Sequence, residues 1–73
     1  MTRFDNVCCL IENNEQLKKV NDAILDAGFR FNNKGLRQEE FNYLTYFNFY
    51  ESFALSLQMN SEHISVDDFI KLL

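Results

Sequence analysis

The chain has no proline and no tryptophan, only two glycines and one histidine, and its two cysteines are neighbours. Each shortage excludes something. Cys8 and Cys9 enclose no loop between them, so no disulfide framework staples the fold. Reduced thiols in an apolar run fit a cytosol-type setting. Adjacent cysteines on a strand point to opposite faces, so they do not converge with His63 on one zinc ion. A cysteine nucleophile would need a base and an orienting partner, and nothing in the spacing brings His63 to either thiol. No glycine-rich loop precedes a helix, which removes the phosphate cradle. No stretch approaches the ~20 apolar residues that span a bilayer, and Met1-Thr2-Arg3-Phe4-Asp5 lacks the hydrophobic segment of a signal peptide. The expectation is a non-enzymatic, cytoplasmic protein with no catalytic residue, metal, cofactor or membrane partner.

What is present suffices for one domain, residues 1–73. A chain this short buries only roughly 60% of its unfolded surface, so its core is marginal unless a partner completes it. A hydrophobic content of 47%, with eight Phe and three Tyr, nevertheless argues against disorder. The net charge of −4 is unevenly spread: residues 1–37 sum to +1 and residues 38–73 to −5. An acidic half repels phosphate backbones, which disfavours nucleic acid as a general partner. The same acids also keep a small aromatic-rich protein in solution.

Local signals predict a β-α-β-β-β-α order. Val7-Cys8-Cys9-Leu10-Ile11 is too short for a helix and reads as a buried strand. Asn13 with Gln16 three residues later forms a capping-box pattern. Leu17, Val20, Ile24 and Ala27 then make one apolar stripe, and Gly28 stands where a left-handed residue ends a helix. Phe29-Arg30-Phe31 alternates as a strand, and Asn32-Asn33-Lys34-Gly35 is a turn. Residues 36–42 are polar and acidic, a loop or a helical turn. Residues 43–50 are almost wholly aromatic or polar, and Phe53, Leu55, Leu57 and Met59 alternate with polar or small residues at a period of two. Asn60-Ser61-Glu62-His63 reads as a turn, after which Ser65 and Asp68 cap a last helix. The fold class is α+β, a three- or four-stranded, mainly antiparallel sheet with helices packed on it. The alternative is all-α, because Leu44, Phe47, Ala54, Leu55 and Met59 also line a helix.

The aromatic segment carries the functional argument. As one continuous strand, residues 43–50 put Tyr43, Thr45, Phe47 and Phe49 on one face and Leu44, Tyr46, Asn48 and Tyr50 on the other. Either a helix covers each face, or Leu44, Tyr46 and Tyr50 form an exposed patch for a partner or a second copy. With the flanking acids Glu39, Glu40 and Glu51, these are the candidate partner-binding residues. A second reading makes the aromatic strand a stacking platform for single-stranded RNA or DNA, with Arg30, Lys34 and Arg37 as its cations. A calcium loop ending at Asp68 is excluded, since Leu57 and Met59 would stand at its ligand positions.

The last ten residues, Ile64 to Leu73, follow the pattern I-S-x-x-x-F-I-K-L-L. In that ending, and in its small, acidic, Asn- and Phe-rich character, the chain resembles small proteins of phages and mobile elements, anti-CRISPR proteins and other host inhibitors among them. The resemblance implies a protein that binds and blocks one host protein or complex in the host cytoplasm. It assigns no functional residue.

Overall fold

The computed structural model describes residues 3–32, 42–57 and 61–73. In chain order they form β1 (Val7–Leu10), α1 (Asn14–Asp26), β2 (Arg30–Asn32), β3 (Tyr43–Phe47), β4 (Ser52–Ser56), β5 (Glu62–Ile64) and α2 (Val66–Leu72). The class is α+β, and the all-α alternative falls. The sheet is larger and more mixed than expected, with five strands in the order β2-β4-β3-β1-β5. Its centre is antiparallel, β1 with β3 and β3 with β4, while the edges pair parallel, β2 with β4 and β5 with β1. Four strands therefore run one way and β3 alone runs the other.

The fifth strand lies where a turn was expected. Glu62, His63 and Ile64 pair with Val7, Cys8 and Cys9, and the Glu62 amide donates to the Asn6 carbonyl at 2.9 Å. Three residues at a sheet edge need no apolar run to hold them, because only one of them packs against the core. Ile64 does so.

Both helices end as their sequences dictate. The Asn13 side chain accepts from the Gln16 amide at 2.8 Å. At the other end of α1, the Gly28 amide bonds the Leu25 carbonyl and the Phe29 amide the Ile24 carbonyl, both at 3.0 Å. This is a Schellman closure, and it places Gly28 at φ +87°, a conformation that costs a side chain strain. Ser65 accepts from the Asp68 amide at 3.1 Å to start α2. The Arg3 guanidinium donates to the Leu72 and Leu73 carbonyls at its end and lies over the Phe4 ring.

The core lies between the helices and one face of the sheet. It joins Leu17, Val20 and Ile24 of α1 and Phe69 of α2 to Cys9, Leu44 and Phe53 of the strands, with Phe4 and Ile11 closing the ends. Phe53 is its hub. Its ring meets Phe4 at 5.0 Å and Phe69 at 5.3 Å edge-on, and Tyr46 at 4.9 Å tilted. Much of the aromatic surplus is thus core packing. One helix on each face, one of the two arrangements expected, is overturned: the buried faces of α1 and α2 join the same sheet face.

Candidate functional site

The other face of the sheet carries no helix among the described residues. The register places Arg30 beside Ser52 and Phe47 in one row, and Asn32 beside Ala54, Thr45 and Cys8 in the next. Short side chains at its centre, Cys8 and Thr45, are buried. The Thr45 and Ser56 hydroxyls share a hydrogen bond of 3.0 Å, and the Tyr43 and His63 rings lie 5.2 Å apart.

The β3–β4 turn rises at one end of this face. Strand pairing stops at Phe47 and Ser52, leaving Asn48 to Glu51 as the connection. The Tyr50 amide donates to the Phe47 carbonyl and the Glu51 amide to the Asn48 carbonyl, both at 3.2 Å. Glu51 closes the turn at φ +52°, the left-handed region that non-glycine residues seldom enter. The turn is tied down on two sides. The Asn48 side-chain amide donates to the Asp5 carboxylate at 2.7 Å, and the Arg30 guanidinium donates to the Tyr50 carbonyl. Between these ties stand Phe49, 89% exposed, and Tyr50, 64% exposed. Their rings meet edge to face, with centroids 5.0 Å apart.

A groove of about 650 Å³ opens beneath the two rings, lined by Arg30, Asn32, Phe47, Phe49, Tyr50, Ser52 and Ala54. Its shape follows from side-chain size. Ser52 and Ala54 are the small floor contributed by β4, while β2 and β3 raise longer side chains on either side. Those two strands flank β4, so the trough is two strand spacings across, about 10 Å.

The expected contact residues are dispersed by this geometry. Leu44 is 1% exposed and sits in the core, so no partner reaches it. Tyr46 is half-buried against Phe4 and Phe53. The cause is register: Leu44 and Tyr46 lie on the helix-facing side of β3, opposite Leu55 and Phe53. Tyr50 is exposed, but it stands in the turn and not on that side of a strand. Glu51 is exposed at the turn's end. Glu39 and Glu40 lie outside the described residues, as do Lys34 and Arg37 of the nucleic-acid reading. Phe49 was missing from the contact set. Its signal was the pair Asn48 and Glu51, polar residues bracketing two aromatics between strand-forming runs.

The cysteines occupy opposite faces, as a period of two requires. Both are free and buried. Burial, together with the neighbouring Cys8 thiol, pushes the Cys9 thiol up to about 11, and burial raises Cys8 as well. Both groups therefore stay protonated, poor nucleophiles at neutral pH. No helix among the described residues is long and apolar enough to cross a membrane. No family model, curated protein or solved structure matches the chain.

Proposed function

We propose that this chain is a non-enzymatic protein-binding module that docks through the Phe49–Tyr50 turn and the groove beneath it. One observation carries the reading: two adjacent aromatic rings are held in solvent on a turn anchored at both ends. Exposed apolar side chains scattered singly need no explanation, whereas a paired, pre-positioned set marks a contact surface. Aromatic residues in such positions supply much of the energy of protein interfaces. Anchoring also lowers the ordering cost that a partner would otherwise meet. Within this reading, the resemblance to phage inhibitors makes the partner a host protein or complex, occluded in the host cytoplasm by the bound chain.

The test is affinity capture with the tagged chain and with a Phe49→Ser, Tyr50→Ser double variant. A single stoichiometric protein, retained by the parent and lost by a variant with an unchanged circular dichroism spectrum, is the expected result. Equal capture by a folded double variant would exclude the turn. If the aromatics instead complete a homodimer, sedimentation velocity will show a dimer that the same substitutions dissociate.

A second reading has its own observation. Arg30 shares the groove with three aromatic rings, an arrangement that single-stranded RNA or DNA also uses. Titrating a labelled oligonucleotide at low salt separates the two, because phosphate contacts weaken steeply as salt rises. No signal at low salt removes nucleic acid.

A further inference from the structure

Resting on the protein-binding reading, we infer that the groove over Ser52 and Ala54 is a slot for an extended acidic peptide segment, one placing a carboxylate next to an apolar side chain. The two walls of the groove differ in chemistry. Arg30 and Asn32 form one side, and Phe47, with the turn residues Phe49 and Tyr50, forms the other. Arg30 is the only charged residue among these lining side chains. It makes no ion pair among the described residues, where the one bridge joins Lys19 to Asp67. The bond from its guanidinium to the Tyr50 carbonyl fixes the planar fork above the groove. Other N–H groups of the fork remain to receive a carboxylate, the geometry in which arginine binds most specifically.

Extended backbone matches this asymmetry. Successive side chains of a strand point to opposite sides. A peptide running along the trough with a carboxylate on Arg30 therefore turns its next side chain toward the aromatic wall. The width of about 10 Å leaves room for one such strand between the walls. A nucleic-acid strand fits less well. It needs a cation at each successive phosphate, whereas the described residues lining this groove offer one.

The test uses amide chemical shifts of the isotope-labelled chain. The probes are a capped six-residue peptide of alternating aspartate and leucine, and its counterpart with asparagine for aspartate. The aspartate peptide is expected to move the Arg30, Ser52 and Ala54 amides, with the asparagine peptide at least tenfold weaker. Arg30→Gln should erase that difference while leaving the amide spectrum in place outside the turn of residues 48–51, which Arg30 ties down. Equal affinity for both peptides, shifts confined to other parts of the chain, or silence at millimolar peptide would each overturn the slot. So would movement of the same amides by an oligothymidine and not by the peptide. The broader reading fails separately. If capture finds no partner that depends on Phe49 and Tyr50 while the aspartate peptide still binds, the slot stands without the docking turn. If capture depends on the turn but the peptide is silent, only the slot falls.

Discussion

On one face of the sheet, Phe53 packs against the rings of Phe4, Phe29, Tyr46 and Phe69. On the other face the same strand presents Ser52 and Ala54, the floor of a groove. The two surfaces lie one backbone layer apart and answer to different requirements. The helix-covered face gathers large side chains from β1, β3, β4, α1 and α2 into one core. The other face, which carries no helix among the described residues, keeps its smallest residues in the middle and its most exposed aromatics at the rim, on a turn that adds little to the packing. Stability accounts for the first distribution and leaves the second without a reason, so function is sought there.

The comparison breaks first if neighbouring residues on β4 respond alike to truncation. Phe53→Ala removes the hub of the aromatic cluster and should cost about 3–5 kcal/mol. A domain of this length has roughly 4–11 kcal/mol in total, at the usual stability per residue. The variant should therefore unfold at much lower urea, or be partly unfolded in buffer. Ser52→Ala, one residue away on the groove face, should stay within about 0.5 kcal/mol of the parent. Urea titrations followed by circular dichroism measure both. A Phe53→Ala loss below about 1 kcal/mol would mean that the core is not where the rings meet.

How much of this was legible in the sequence divides along the same line. Capping is local: a side chain and an amide three residues apart decide it, so Asn13, Gly28 and Ser65 announced both helices. The buried run around Cys8 and Cys9 and the alternation beginning at Phe53 were equally plain. Edge pairing was not. β5 and the parallel pairing of β2 with β4 depend on contacts between distant segments, and Glu62-His63-Ile64 shows no period, whereas the alternation of Phe29, Arg30 and Phe31 did announce β2. The site was misjudged for a related reason. Reading residues 43–50 as one straight strand put Leu44, Tyr46 and Tyr50 together, but the chain turns after Phe47. That break leaves Tyr50 at the rim with Phe49, while Leu44 is buried and Tyr46 half-buried because they lie on the helix-facing side of β3.

The paired cysteines give a smaller contrast. Cys9 belongs to the core and Cys8 to the opposite, groove-bearing face of the sheet. With its thiol pushed up to about 11, Cys9 has a thiolate population at pH 8 about a hundredfold below that of an ordinary thiol near 9. Core packing adds a barrier to the reagent. Measured on the single variants Cys8→Ser and Cys9→Ser, iodoacetamide should modify Cys9 at least tenfold more slowly than Cys8. Both rates should keep rising with pH beyond the ordinary thiol range, that of Cys9 furthest, because each thiol must ionise before it reacts. Equal rates, both raised by urea to the same degree, would show that the two faces open together.

The smallest expected effect is the most informative about the turn. In the Phe49→Ser, Tyr50→Ser double variant, two of the largest exposed side chains disappear, yet stability should change by no more than about 0.5 kcal/mol. The ties that hold the turn survive the change: Asn48 still reaches the Asp5 carboxylate, and Arg30 bonds the backbone carbonyl of residue 50 and not its ring. What is lost is the edge-to-face contact between two rings already in water, partly offset by the removal of exposed apolar surface. Urea midpoints of parent and variant compare directly, since the same strands unfold in each. A loss above about 1.5 kcal/mol would show that the rings support the fold, and the aromatic rim would then need no partner to explain it. A near-zero change leaves recognition as the reason the chain holds Phe49 and Tyr50 out in solvent.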